Sequence, residues 1–234
     1  MTSLHPLVVF DLDGTLVDTA PDLIAALNVI LAREGMAGLP LASARNLIGG
    51  GARKLLERGL EAEGRTVSIA ELDRLTADFI AYYGEHIADH SRPFNGLEAA
   101  LDGLAEQGCT LAVCTNKLEW LSKRLLDQLN LSSRFATICG GDTFGVSKPD
   151  PAILRQTVAR AGCDLASTIM VGDAGTDVGV ARRAGVPVIG VTFGYTEVPI
   201  EALNPDRVIS HMRDLPAAVY GLLGATWAPP AAKR

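Results

Sequence analysis

Three short apolar runs in this chain lead directly into a polar cluster, and a fourth cluster stands at a helix entrance between the second and the third. Leu7-Val8-Val9-Phe10 is followed by Asp11-Leu12-Asp13-Gly14-Thr15. Two carboxylates two residues apart at a strand end repel each other, and a fold that keeps them needs a cation or a proton beside them. Alone, the pair also reads as a solvated turn. Thr110 to Cys114 is followed by Thr115-Asn116, a hydroxyl and an amide at the predicted start of a helix. A helix entrance presents free N–H groups and suits an anion such as phosphate, although Thr115 alone reads as a plain N-cap. Ser147-Lys148-Pro149-Asp150-Pro151 sets a lysine at another helix entrance, where alone it reads as a solvated charge. Val171-Gly172-Asp173-Ala174-Gly175-Thr176-Asp177 adds two carboxylates after a third run, alone a capped turn. Carboxylates that call for a cation, next to groups that suit an anion, are complementary. Four separate turns do not explain that match.

These groups meet only if the runs are neighbouring strands. Leu7–Phe10, Thr110–Cys114, Ala136–Cys139, Thr168–Val171, Val186–Val191 and Arg207–Ile209 read as parallel strands, apolar on both faces. Helical patterns lie between most of them. Asn95-Gly-Leu-Glu98 reads as a capping box opening a helix that stops near Gly108. Lys117 to Leu129 repeats Leu118, Leu121, Leu125 and Leu129, and Asp150-Pro151 is an N-cap and N1 pair for a helix running to about Gly162. Asp177 to Ala184 is helical and Gly185 ends it. Alternation of this kind predicts an α/β fold with a doubly wound, Rossmann-like parallel sheet. Ligands of such sheets bind at the carboxyl ends of the strands, where the four clusters fall.

Between Asp18 and Asp89 the alternation stops and only helices are predicted. Thr19 caps a helix entering at Ala20-Pro21-Asp22, with Leu23, Ala26, Leu27 and Ile30 on one face. Ser43 starts another helix, Gly49-Gly50-Gly51 interrupts the pattern, and Arg53 to Ala62 is helical up to Gly64. Ser68-Ile-Ala-Glu71 is a capping box, after which Leu72, Leu75, Phe79 and Tyr82 mark one face. The expected division is a core of residues 1–17 and 90–234 and a helical insert of 18–89.

The 234 residues are 48% hydrophobic and 21% charged, enough for a packed core. A net charge of −6 argues against nucleic acid as a partner. From Asp18 to Arg92 there are 8 basic and 11 acidic residues, so the insert is not a basic arm. Cys109, Cys114, Cys139 and Cys163 form no C-x-x-C pair and are expected to be buried and reduced. No signal peptide or membrane span is expected, because the first apolar run stops at Asp11 and Leu215 to Ala232 contains prolines and small residues. The prediction is a cytoplasmic monomer or homodimer. Trp120 is expected to pack, Trp227 to sit at a contact and residues 228–234 to fray, and His86, His90 and His211 show no partner spacing and are assigned no role.

Together the four clusters resemble the motifs of the haloacid dehalogenase superfamily. They stand as Asp11-x-Asp13-Gly-Thr15, Thr115-Asn116, Lys148-Pro149 and Gly172-Asp173-x-x-x-Asp177, in order along essentially the whole chain. The insert lies where that family places a helical cap of its first type. Within it, Val17 to Leu23, Ile48-Gly49-Gly50-Gly51-Ala52 and Val191 to Tyr195 resemble the phosphoglycolate phosphatases most.

The resemblance implies a magnesium-dependent hydrolase of a small phosphorylated metabolite, 2-phosphoglycolate first. It implies Asp11 as nucleophile, Asp13 as general acid and base, and Lys148 and Thr115 on phosphate charge. Mg2+ would be held by Asp11, Asp173 and the Asp13 carbonyl, with Asn116, Gly172 and Asp177 behind them. Arg45 and Gly49, Gly50 and Gly51 are the candidate cap residues facing the leaving group, ahead of Arg53 and Lys54. Alternatives on the same fold are a phosphatase for a sugar phosphate, an amino-sugar phosphate or pyrophosphate, and a phosphomutase. Thr15 favours a phosphatase over a mutase, and Asp13 argues against a phosphonate hydrolase. A receiver domain also phosphorylates an aspartate, but it has no cap and uses a later strand.

Overall fold

A computed structural model of the protein describes residues 6–196 and 198–224. The chain order is β1 (Leu7–Phe10), β2 (Val17–Asp18), α1 (Ala20–Arg33), α2 (Leu41–Ala44), α3 (Ala52–Ala62), α4 (Ile69–Glu85) and β3 (Arg92–Pro93). Then come α5 (Leu97–Glu106), β4 (Thr110–Cys114), α6 (Glu119–Gln128), β5 (Thr137–Cys139) and α7 (Pro151–Arg160). The chain continues with β6 (Thr168–Gly172), α8 (Gly175–Ala184), β7 (Val188–Val191), β8 (Arg207–Ile209) and α9 (Leu215–Leu223). Among the described residues no helix is long and apolar enough to cross a membrane.

Six strands form one parallel sheet in the order β5-β4-β1-β6-β7-β8. The strand period of two sorts the core. Val8 and Phe10 face one apolar cluster with Leu111, Val113, Ile169 and Val171. Leu7 and Val9 face the other with Ala112, Cys114 and Met170. Burial on both faces is why the runs carry no polar alternation. Edge strand β8 departs from this pattern, because Arg207 and Val208 are exposed. Phe10 lies opposite Val113 on one side and Val171 on the other. That register brings the residues after β1, β4 and β6 to one edge.

The helical segment hangs on a short ribbon in which β2 and β3 run antiparallel, Val17 opposite Pro93 and Asp18 opposite Arg92. Buried Asp22 fastens its entrance to its exit, accepting from the backbone N–H of His90 and Ser91 and from the Ser91 hydroxyl at 2.6–3.0 Å. Leu27, Leu56, Phe79 and Tyr83 join the same cluster as Val8 and Phe10, so the helices and the sheet share one core.

Local chemistry corrects several expected details. Of the capping box at Ser68 one half forms, its Oγ accepting from the Glu71 N–H at 3.2 Å, while the Glu71 carboxylate takes Arg65 instead. The box at Asn95 does not form: Gly96, in the left-handed region at φ 81°, occupies the N-cap with no side-chain bond. Thr19 stands before α1 but spends its hydroxyl elsewhere. Instead of a helix from Ser43 there is one turn, Leu41–Ala44, and a 3-10 turn before the glycines. On α4 the fourth buried face residue is Tyr83, not Tyr82, since a 3.6-residue period from Leu72 returns at position 83. Tyr82 instead stacks on His86 at 4.4 Å. His86 also contacts Asp89, three residues on, at 2.8 Å. α6 starts at Glu119, two residues after Lys117. All four cysteines are free, but Cys163 is only partly buried. Trp120 is 45% exposed, yet its ring covers Gly84, where a Cβ would come within 2.7 Å of it. Trp227 and residues 228–234 lie outside the described residues.

Candidate active site

Asp11, Asp13, Thr115, Asn116, Lys148 and Asp173 line one cavity of about 270 Å³ at the carboxyl edge of β1, β4 and β6. The four polar clusters therefore meet, as their positions after neighbouring strands require.

Asp11 accepts from the Leu12 N–H at 2.7 Å and faces the Lys148 Nζ at 2.9 Å. The same ammonium lies 2.6 Å from Asp177 Oδ1, and Asp177 Oδ2 accepts from the Ala174 N–H at 3.0 Å. Asp173 accepts from the Thr15 hydroxyl at 3.0 Å and from the Tyr195 N–H at 2.7 Å. Asn116 grips the Lys148 backbone at both ends, its Oδ1 accepting from the N–H at 2.8 Å and its Nδ2 donating to the carbonyl at 3.1 Å. Thr115 is 2% exposed, its hydroxyl accepting from the Lys117 N–H at 3.3 Å.

Asp11, Asp173 and Asp177 bring carboxylate oxygens within 4.8 Å of one another, with Lys148 as the cation among them. The Asp13 carboxylate is not in that cluster, so any metal role for Asp13 falls to its backbone carbonyl. Crowding sets the electrostatics. Burial, and then Asp177 and Asp11, raise the Asp173 carboxyl to about 8. Burial raises Asp11 to about 6 against the opposing pull of Lys148. Burial depresses Lys148, but the two carboxylates win and hold it above its ordinary value. Three oxygen-bearing acids held close, two of them resisting ionisation, fit a hard divalent cation.

Glycines make the room. A Cβ on Gly172 would stand 2.3–2.5 Å from the Asp177 carboxyl, so Gly172 clears space for Asp177 rather than for phosphate. Gly14, at φ 81°, and Gly194 do the same for Asp173 from two sides.

Asp13 turns away from this cluster, its Oδ1 accepting from the Thr19 hydroxyl at 2.8 Å and the Lys117 Nζ at 3.0 Å. Lys117 is buried and donates also to the Tyr83 hydroxyl of α4 at 2.8 Å. Lys117, Tyr83 and Thr19 were not legible as site residues. The one available signal was a lysine adjoining an expected anion site. Gly49, Gly50 and Gly51 do line the cavity, and so does Arg53. Arg45 does not: its Nη2 binds both Asp18 oxygens at 2.6–2.7 Å, and its guanidinium lies 5.2 Å over the Tyr195 ring. Tyr195 closes that corner, its hydroxyl donating to Asp18 and accepting from the Ala20 N–H.

Residues 8–191 match the family model of the haloacid dehalogenase-like hydrolases. The chain belongs to that family. It is 46% identical over 233 residues to a phosphoglycolate phosphatase of Caulobacter vibrioides, covering 98% of each chain. It is 45% identical to a phosphoglycolate phosphatase of Agrobacterium fabrum, covering 94% of this chain and 95% of that one. Among solved structures, a predicted phosphoglycolate phosphatase of Haemophilus somnus superposes with a TM-score of 0.84 at 27% identity, covering 94% and 100% of the two chains. The protein is thus a hydrolase of the haloacid dehalogenase-like family, with that family's parallel sheet.

Proposed function

We propose that the protein is a magnesium-dependent phosphomonoester hydrolase that passes through an aspartyl-phosphate, with 2-phosphoglycolate as substrate. The observation that carries this reading is the pairing of two differently placed carboxylates on one strand end. Asp11 lies against Lys148 in the acidic cluster, and Asp13 is turned toward the cavity and Lys117. Likeness to phosphoglycolate phosphatases over nearly the whole chain supports the substrate.

Asp11 and Asp173, with the Asp13 carbonyl, would hold Mg2+. Bound there, the ion neutralises charge so that a carboxylate can meet a phosphate. The chain's own residues do the rest. The Asp11 carboxylate attacks phosphorus in line, and the bond to the ester oxygen breaks. Asp13 gives its proton to the leaving alkoxide. It then takes a proton from the water that attacks phosphorus, which breaks the bond to Asp11 and restores the carboxylate. Lys148 holds Asp11 and phosphate charge in register, and Asn116 keeps Lys148 in place. Thr115 and the N–H groups after it receive phosphoryl oxygens. Residues 18–89 act as a cap that excludes water and meets the alcohol portion through Gly49 to Gly51. The four free thiols support a cytoplasmic setting.

The test is phosphate release from a panel of phosphomonoesters with and without Mg2+, comparing kcat/KM. 2-Phosphoglycolate is expected to lead, and Asp11→Asn to abolish turnover while the thermal unfolding curve stays native-like. A sugar phosphate ranking well above 2-phosphoglycolate refutes the substrate. Near-native turnover by Asp11→Asn refutes the nucleophile.

A further inference from the structure

Among the described residues, three cations line the cavity: Lys148, Arg53 and Lys117. Lys148 is held between Asp11 and Asp177. The Arg53 side chain is 46% exposed and paired with Asp73. The Lys117 side chain is only 5% exposed, and nothing in the chemistry above uses it. Its Nζ stands 3.0 and 3.2 Å from the two Asp13 oxygens, 2.8 Å from the Tyr83 hydroxyl and 4.5 Å from the centre of the Tyr83 ring. Much of the cavity lining is apolar, Leu23, Ile48, Leu55, Phe79 and Leu121 among it.

We propose that Lys117 is the specificity-determining residue that binds a carboxylate on the substrate's alcohol portion, exchanging Asp13 for that carboxylate when substrate enters. The inference rests on the hydrolase reading above and deepens it. Asp13 must contact the leaving oxygen to protonate it. In 2-phosphoglycolate one carbon separates that oxygen from the carboxylate. A carboxylate so placed comes within reach of the ammonium that holds Asp13. Against that lining it would otherwise be a buried, unpaired anion, which is strongly disfavoured. Lys117 faces one carboxylate before and after the exchange, and Asp13, the general acid, leaves it carrying the proton that it gives to the ester oxygen. Thr19 stays on Asp13 Oδ1 at 2.8 Å and keeps it near the ester oxygen. Tyr83 stays on Lys117, so the exchange is held from the helical segment as well as from the sheet edge. An alcohol portion with no carboxylate leaves Lys117 on Asp13 and gains nothing from it.

The experiment compares kcat/KM for 2-phosphoglycolate and for 2-hydroxyethyl phosphate, which has a hydroxyl in place of the carboxylate, in the native chain, Lys117→Met and Lys117→Gln. A charge-assisted hydrogen bond to a buried partner predicts a native preference for 2-phosphoglycolate of roughly ten- to a hundredfold. With the charge gone, both variants should bring the ratio to within about threefold of equality, the loss falling on 2-phosphoglycolate. Glutamine keeps a polar group for Tyr83 and carries the test if the methionine variant fails to fold. A native preference that survives in either folded variant overturns the inference alone, and so does restoration of the preference by glutamine. A native chain that hydrolyses both esters equally well overturns the inference and the substrate reading together.

Discussion

Gly194→Ala should disable the site while leaving the fold standing. Gly194 is not among the glycines in the left-handed region, so its backbone conformation suits alanine. The obstacle is space. An added Cβ would lie 2.2 Å from Asp173 Cβ, 2.3 Å from Oδ2 and 2.5 Å from Cγ. Carbon atoms rest no closer than about 3.5 Å, so the 2.2 Å approach requires the loop and Asp173 to part by about 1.3 Å. Asp173 has little freedom to yield. Thr15 and the Tyr195 N–H hold its oxygens, and Gly14 occupies the other side, where a Cβ would stand 2.4 Å from Oδ2. Misplacing a reacting group by about 1 Å costs about a hundredfold in rate. Disturbing a metal ligand's support costs about ten- to a hundredfold in metal affinity. Gly194→Ala should therefore lower kcat/KM about a hundredfold and raise the half-saturating Mg2+ concentration about tenfold or more. The assay is phosphate release from 2-phosphoglycolate across a Mg2+ titration, beside a thermal unfolding curve. Gly103→Ala on α5 is the control, since its Cβ would meet only Pro216 Cγ at 3.6 Å. That change should leave activity alone and add up to about 1 kcal/mol of helix propensity. If Gly194→Ala kept activity within about threefold and the native Mg2+ dependence, neither the steric argument nor the assigned role of Asp173 would survive.

Two further outcomes follow from burial and charge. Asp11 and Asp173 titrate near 6 and 8 in the metal-free fold, above the ordinary 3.8, so between about pH 4 and 8 the folded state binds more protons than the unfolded. Metal-free stability should fall as pH rises through that window, and Mg2+ should raise Tm more at about pH 8.5 than at about pH 5.5; a pH-independent increment in unfolding scans with EDTA and with Mg2+ would contradict this. Burial raises the Cys109 and Cys114 thiols to about 11 and about 12, and Cys139 is buried too, whereas Cys163 is partly exposed. A thiol reagent at about pH 8 should label one cysteine fast in the native protein and all four after denaturation, and fast labelling of two or more would show that the sheet is not closed over them.

The sheet and the four clusters were legible because a strand buried on both faces must be apolar throughout, and punctuation by Asp11, Thr115 and Asp173 marks where each strand ends. What was not legible depends on partners distant in sequence. Lys117 reads as the first residue of an amphipathic helix, yet Tyr83, 34 positions earlier, buries it. Gly172 invites the idea of backbone approaching a ligand, but the Asp177 carboxyl fills its space once α8 packs back on β6. Arg45 reads from the sequence as a cap residue facing the leaving group, but Asp18 and Tyr195 claim it. Tyr82 and Tyr83 differ by one position, and only a helix that keeps its period from Leu72 chooses between them.

The two-rung ribbon joining Val17–Asp18 to Arg92–Pro93 has a consequence for how such a chain diversifies. Paired strands lie about 4.8 Å apart, so the excursion leaves the sheet and comes back through almost the same point. Its length and content are thereby uncoupled from the register of β1 with β4 and β6. Residues can be added, lost or exchanged beyond the ribbon without moving Asp11 against Lys148. Selection on the side of the cavity lined by Gly49 to Gly51 can act on one stretch of sequence while the contact of Asp11 with Lys148 is inherited unchanged, like a lock refitted in a frame already hung.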